Sequence, residues 1–389
     1  MNGPIKTMAG SLYARQALLP EGFRDQLVPE AEQEASLVRQ LVDTFLSHAY
    51  DRVSPPLVEY EDSLLVGAGL TSSAKMFRIM DSNTQRMMAV RCDMTIQMAR
   101  LAATRFADQE RPLRLAYAGS VLRTKGSQIR PARQFTQAGI ELVGCESLEG
   151  EMEVIAIAVE ALKAVGIAEV SLDLTLPPLA SLLCDAKGIT GDDRTAVLSA
   201  LGAKDIGAFN GLKDRALFEA LVSATGPVDT ALVALKTIGF EGEAASLVER
   251  LIRLVEMLQE KLPSLPVTLD PCETHGFEYK TGIGFALFAR NGNGELGRGG
   301  RYAVTHADGH TEEATGFSVY LDSLMDALPV ATAAQKIFLP FNTSASEGVR
   351  LRTEGWRTIQ GLTVEADCRK EAARLGCTHI FEKGAVCAL

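Results

Sequence analysis

Histidine and tryptophan are scarce, with five His and one Trp among 389 residues. Only His306 and His310 stand at a helical metal-ligand spacing, and the Asp308-Gly309 between them favours a turn, so no metal site is expected. The seven cysteines, at 92, 145, 184, 272, 368, 377 and 387, are odd in number and never spaced as CxxC. That argues against a zinc ribbon and a disulfide framework and for reduced thiols. No run approaches the roughly 18 apolar residues of a membrane span, and the first residues lack an apolar stretch followed by a cleavage site, so the expected location is cytoplasmic. Positive charge is in deficit: 39 Lys plus Arg against 49 Asp plus Glu leave a net charge of −10, the wrong sign for tracking a polyanion by bulk electrostatics. The glycine-rich phosphate loop, the dinucleotide fingerprint and the nucleophile elbow are all missing, and no cofactor is called for.

What is present is ordinary globular usage, 47% hydrophobic and 23% charged, in a chain too long for a single growing core. Leu37, Val38, Leu41, Val42, Phe45 and Leu46 recur on one face and predict a helix from Pro29 to about Ala49. The prolines of Val53–Tyr60 forbid helix and suit an edge strand. Strands are predicted at Met76–Met80, Arg86–Val90, Leu113–Ser120 and Phe135–Val143, with Asp93 capping a helix through Arg105. A helix over Glu151–Val165 and a strand over Val170–Leu174 follow, then an Ala/Leu-rich helical insertion at about 177–265. Gly276–Ala289 reads as strand, Asn291–Gly300 as a glycine-rich turn and Thr315–Ala327 as a helix. After a linker at Pro329–Gln335, residues 336–389 read as a small α/β unit: strand Lys336–Pro340, helix Ser346–Arg357, strand Leu362–Glu365, a short helix and strand His379–Glu382.

The sharpest chemical feature is the basic loop between two strands, which carries Arg123, Lys125, Arg130 and Arg133. Guanidinium groups held over a sheet suit phosphate or carboxylate, whereas composition alone favours a solvated hairpin tip. Gln137, Gly139 and Glu141 share one strand face, and the glycine between two polar side chains suggests a recess for a small ligand. Asp93 and Thr95 read as a helix start at least as readily as ligand contacts. Gly299-Gly300-Arg301-Tyr302 places an arginine after a tight turn.

The order of these segments resembles the core of a class II aminoacyl-tRNA synthetase, and in detail histidyl-tRNA synthetase, over about residues 19–328. Leu19-Pro20-Glu21-Gly22-Phe23-Arg24-Asp25 is similar to that enzyme's start, and the long helix with Ser54-Pro55-Pro56-Leu57-Val58-Glu59 to the dimer-forming first motif. Arg114–Gly144, with Gln134-Phe135-Thr136-Gln137-Ala138-Gly139-Ile140-Glu141, resembles the second motif and its continuation. Gly276-Phe277-Glu278-Tyr279-Lys280-Thr281-Gly282 resembles the histidine-recognising segment, and Gly299-Gly300-Arg301-Tyr302 with Gly316-Phe317 precedes the third motif. The resemblance implies an α+β fold: an antiparallel sheet flanked by helices, with the helical insertion and a small C-terminal α/β unit. It implies a core of residues 1–328 followed by a truncated domain at 336–389, short for an anticodon-binding domain.

The departures from the synthetase pattern point away from catalysis. The glutamate that the second motif places two residues after its arginine is Lys125, and the ATP-binding arginine of the third motif is Ser323. The arginine before the histidine-recognising glycine is His275, and the second tyrosine of that segment is Lys280. Losing charge that stabilises transferring phosphates removes several orders of magnitude in rate. The amino-acid pocket is largely kept at matching positions: Asp93, Thr95, Arg123, Gln137, Glu141 and Tyr279, with His275 beside them. A synthetase core that keeps this pocket and loses the ATP contacts resembles the regulatory subunits of ATP phosphoribosyltransferase. That resemblance implies a non-catalytic subunit in histidine biosynthesis, a short-form catalytic subunit as partner, self-association as a dimer within a hetero-oligomer, L-histidine as feedback effector, and no tRNA or membrane partner. The alternatives are a divergent active histidyl-tRNA synthetase and a synthetase-derived binding protein for another partner.

Overall fold

The computed structural model describes residues 18–65, 74–126, 130–212, 214–273, 279–290, 294–332 and 334–389. The first predicted helix forms over Glu30–Ser47 and buries Leu37, Leu41, Val42 and Phe45, while Leu46, expected on the same face, is exposed. Of the predicted edge strand Val53–Tyr60 only β2 (Val58–Tyr60) forms, beyond the paired prolines, because a proline has no N–H to give a ladder; a two-residue β1 (Asp51–Arg52) precedes it. β2 pairs with β4 (Met87–Val90), which pairs with β3 (Arg78–Met80), in a small antiparallel sheet. A helix at Thr95–Thr104 leads into the long hairpin of β5 (Leu113–Leu122) and β6 (Gln134–Val143).

A nine-stranded sheet is built on that hairpin. After the helix Leu148–Ala164 come β7 (Val170–Thr175), a helical stretch from Pro177 to Lys261 interrupted by the two-residue β8 (Gly226–Pro227), and β9 (Val267–Asp270). β10 (Lys280–Ala289), β11 (Glu295–Thr305) and β12 (Thr311–Tyr320) complete the sheet, whose order is β1-β5-β6-β12-β11-β10-β7-β9-β8. Neighbours are antiparallel except β1 with β5 and β7 with β9. The architecture is thus mixed α+β with a mainly antiparallel sheet. Helix Leu148–Ala164, capped by Ser147 accepting from the Gly150 N–H, buries Val154, Ile155, Ile157, Ala158 and Leu162 in the main core. Phe45 meets Phe317 of β12 edge-on at 5.7 Å and ties the first helix to the sheet. Each such fully buried aliphatic or aromatic side chain contributes roughly 1.5–3 kcal/mol.

Two expectations are overturned here. The supposed turn at Asn291–Gly300 is, from Glu295 onward, central strand β11. Its glycines serve close packing, since a Cβ on Gly299 would overlap the Phe285 ring and one on Gly297 the Ser318 carbonyl. Arg301 therefore lies mid-strand rather than after a turn. The supposed helix Thr315–Ala327 is strand through Tyr320 and helix only over Leu321–Ala327. Pairing on both edges, with β6 and β11, outweighs whatever helical bias its residues have. The predicted Gly276–Ala289 strand starts at Lys280, and residues 274–278, His275 among them, lie outside the described residues.

The chain divides into two compact units, residues 1–25 with 34–329, and residues 26–33 with 330–389. The second holds a four-stranded sheet in the order β14-β13-β15-β16, formed by β13 (Lys336–Leu339), β14 (Arg357–Gln360), β15 (His379–Glu382) and β16 (Ala385–Ala388). Its first helix covers Ala345–Thr353 and stops before Gly355, whose φ is +94°, so the predicted helix end at Arg357 belongs instead to β14. The strand predicted at Leu362–Glu365 does not form: Leu362 and Val364 are exposed, and parallel pairing of Arg357–Gln360 with β13 fills that place. A further hairpin turns at Lys383-Gly384, both at positive φ. Among the described residues no helix is long and apolar enough to cross a membrane, and no cluster of His, Cys, Asp and Glu is placed to hold a metal.

Candidate functional site: a buried carboxylate and ammonium at the floor of a cavity

A cavity of about 530 Å³ opens over the β5-β6-β12-β11-β10 part of the sheet. Of the sequence-predicted site residues, Asp93, Thr95, Arg123, Glu141 and Tyr279 line it. Gln137 does not. It lies 1% exposed in the wall, where its amide donates to Ser318 Oγ at 2.6 Å and its carbonyl accepts the Met94 N–H at 2.9 Å. Gln137 thus fixes the entry to the Thr95–Thr104 helix. Asp93 stands one residue before the N-cap position, which Met94 occupies without a side-chain cap, yet its Oδ1 accepts the Thr95 N–H at 2.8 Å and it borders the cavity.

Glu141 forms the floor at 1% exposure. Tyr117 donates to its Oε1 at 3.1 Å and Tyr302 to its Oε2 at 3.0 Å. Burial pushes the Glu141 carboxyl up, opposed by the Lys280 charge and by hydrogen bonds from Tyr302, Thr95 and Tyr117. Lys280 is 8% exposed and donates from Nζ to the Gly300 carbonyl at 3.0 Å. Burial pushes its ammonium down, opposed by the negative charges of Glu141 and Asp93. Its placement follows from an irregularity in the β10-β11 register, where the three residues between Lys280 and Gly284 face the one between Gly300 and Tyr302. A bulge of this kind re-aims a side chain out of the regular pleat.

The recess expected over Gly139 is not open. Tyr117 stands opposite it in the β5-β6 register and its hydroxyl fills the space a Cβ would need. Ligand space lies instead over Gly316 and Ser318 of β12, where a Cβ on Gly316 would overlap the Glu141 carboxylate.

The basic loop is not a free hairpin tip. Arg130 donates to Ser323 Oγ at 2.9 Å and the Glu295 carbonyl at 3.1 Å, lies 3.5 Å from Asp322, and covers the Tyr320 ring. Its guanidinium therefore contacts Ser323, where the synthetase pattern has an arginine for ATP. Arg133 donates to the Glu21 and Arg123 carbonyls and lies over Phe23 and Phe77. Arg123 forms no ion pair among the described residues; it covers Phe135 and borders the cavity, as do Lys75 and Lys125 at the exposed end. Arg298, which sequence reasoning missed, also lines the cavity, with Nε donating to Glu295 Oε1 at 2.7 Å. Burial alone would push Arg298 down, but Glu295 holds it charged. Arg301, by contrast, is structural: it faces away from Tyr302, donating to Glu151 Oε1 at 2.6 Å and the Glu146 carbonyl at 2.9 Å. Chemically, the site joins a recessed carboxylate and ammonium to a cationic outer end, an arrangement suited to a zwitterion.

The sequence model of the histidyl-tRNA synthetase family matches residues 22–324. A relative from Paramagnetospirillum magneticum, the ATP phosphoribosyltransferase regulatory subunit, is 47% identical over 94% of this chain and 96% of its own. The chain belongs to the family of ATP phosphoribosyltransferase regulatory subunits. Its role is accordingly regulatory and non-catalytic, within histidine biosynthesis. An ATP phosphoribosyltransferase regulatory subunit/histidyl-tRNA synthetase structure from Bacillus halodurans superposes with a TM-score of 0.77 at 25% identity, covering 92% of this chain and 96% of that one. A chain of the ATP phosphoribosyl transferase (HisG:HisZ) complex from Thermotoga maritima shares the fold, with a TM-score of 0.59 at 20% identity over 74% of this chain and 97% of that one. The class II synthetase-like fold expected from the motif order is therefore the fold of this family.

Proposed function

We propose that the chain binds L-histidine in the cavity over Glu141 and transmits its presence to a short-form ATP phosphoribosyltransferase catalytic subunit. The observation that carries this reading is Glu141 itself, a carboxylate buried at the cavity floor and oriented by two tyrosine hydroxyls. A buried, oriented acceptor suits an imidazole N–H. Asp93 and Thr95 suit the ammonium of the amino acid, and Arg123 at the wider end suits its carboxylate. Tyr279 supplies a ring wall, and His275 belongs to the same recognising segment by the family resemblance.

Phosphoribosyl transfer resides in the partner. This chain self-associates as a dimer within a hetero-oligomer and needs no cofactor of its own. Histidine favours one arrangement of that assembly, and by linkage the partner alters histidine affinity by the same factor. No tRNA is engaged, in keeping with the net charge of −10. We read residues 336–389 as a reduced domain appended to the core of residues 1–328.

The test is to mix the protein with a short-form catalytic subunit and follow phosphoribosyl-ATP formation with and without histidine. Neither protein alone should be active, and the mixture should be inhibited by histidine. Glu141→Ala should weaken inhibition at least tenfold, about 1.4 kcal/mol, by removing a charged hydrogen-bond partner. Unchanged inhibition in both Glu141→Ala and Gln137→Ala proteins would sink the reading.

A further inference from the structure

Lys280 is an anomaly in an amino-acid pocket. An ammonium with three donors is buried to 8% exposure, yet a single protein acceptor, the Gly300 carbonyl, is placed for it among the described residues. No carboxylate lies within ion-pair distance of it among the described residues, although lysine is almost never buried without a partner. It borders the cavity beside Glu141 and lies 4.8 Å from the Tyr279 ring and 5.2 Å from the Tyr302 ring. The Tyr302 hydroxyl in turn donates to Glu141, so one tyrosine spans the distance between ammonium and carboxylate. Glu141 accepts from Tyr117, Tyr302 and Thr95, which leaves acceptor capacity among the roughly four lone-pair sites of a carboxylate.

We infer that Lys280 is a specificity-determining residue that donates to one ring nitrogen of the bound ligand while Glu141 accepts from the other, selecting histidine with a neutral imidazole ring. This rests on the histidine reading above and adds the ring's protonation state. A neutral imidazole carries one donor and one acceptor nitrogen and matches the pair. An imidazolium carries two donors and would set a second positive charge against the Lys280 ammonium. The other groups facing this floor keep the balance in place. Asp93 precedes the Thr95–Thr104 helix, and the phenols of Tyr117, Tyr279, Tyr302 and Tyr320 stay neutral because burial pushes each upward. Arg298 from β11 and Arg123 from the basic loop add positive charge, which further disfavours a cationic ring. Burial lowers Lys280 against the charges of Glu141 and Asp93, so an acceptor supplied by the ligand would further stabilise its ammonium.

The experiment is nitrogen-15 NMR of ring-labelled L-histidine bound to the full-length chain between pH 5.5 and 8.5, with calorimetric affinities over the same range. One protonated and one unprotonated ring nitrogen should persist below the free-ring pKa of about 6.5, and affinity should fall about tenfold per pH unit beneath it. Lys280→Met should weaken binding about 10–100-fold at pH 8 and lessen the loss at acid pH, because Glu141 can then accept an imidazolium. A doubly protonated bound ring at pH 7 overturns the inference, as does wild-type affinity with a wild-type pH profile in Lys280→Met. Absence of any histidine binding by the wild-type chain overturns the site assignment itself. Should Lys280→Met fail to fold by circular dichroism, the ring-nitrogen spectrum of the wild-type complex decides alone.

Discussion

Gly316 allows Glu141 to lie flat over β12, since a Cβ there would overlap the Glu141 carboxylate and crowd the Ile140 carbonyl. Gly316→Ala should cost about 3 kcal/mol by overpacking, read from urea denaturation, and should abolish histidine binding by displacing the floor carboxylate. Away from the cavity, Glu153 accepts from Arg114 at 3.0 Å and from the Tyr50 hydroxyl at 2.9 Å. The Arg114 hydrogen bond, opposed by burial and reinforced by Tyr50, holds the Glu153 carboxyl below its ordinary range. Because the folded value is depressed, this group's contribution is complete above its unfolded pKa of about 4.3 and is lost as pH falls through the folded value. Arg114→Met should therefore lower stability at pH 7 by less than about 1 kcal/mol, the pair being a third exposed, and should shrink the difference between pH 7 and pH 3. Of the residues named from sequence, Glu141 and Gln137 were found through the two-residue strand period. Arg298, Ser318 and Tyr302 were not, because nothing local in a glycine-rich strand marks which face meets a ligand.

The basic loop between β5 and β6 is held on its β6 side by Arg130 on the Ser323 hydroxyl and Tyr320 ring and by Arg133 on the Glu21 carbonyl, and on its β5 side by Thr124, which donates to the Ala74 and Lys75 carbonyls. Arg130→Ala should release the loop, and trypsin should then cleave after Lys125 about tenfold faster, as mass spectrometry of timed digests would reveal. An unchanged cleavage rate would mean that Arg133 and Thr124 suffice to anchor it. The elements read correctly from sequence were those with strong periodicity: the first long helix, the β5-β6 pair and the helix predicted over Glu151–Val165, which forms over Leu148–Ala164. β11 and β12 were misread because their glycines pack against neighbours instead of turning, and because sheet pairing on both sides overrides local propensity.

For the whole molecule, the net charge of −10 and the loss of the ATP contacts make two expectations concrete. Histidine-dependent exchange between pyrophosphate and ATP should be undetectable in the purified chain, since neither Ser323 nor Lys125 replaces the charges that stabilise phosphoryl transfer in a synthetase. Filter binding should show no saturable tRNA complex at physiological salt, where a weak electrostatic footprint is screened. Sequence alone determined the motif order, the family, the missing ATP arginine and the retained pocket residue types, because each of these is a matter of side-chain identity and linear spacing. Only the tertiary structure decided that Gln137 stands in the wall, that Arg130 reaches Ser323, and that the ammonium of Lys280 lies buried beside Glu141. Those outcomes depend on sheet register between strands more than 130 residues apart and on a bulge that redirects one side chain, as the pairing of Glu141 with Gly316 and the shift after Lys280 illustrate. Local sequence carries the period of a strand but not the identity of its neighbour.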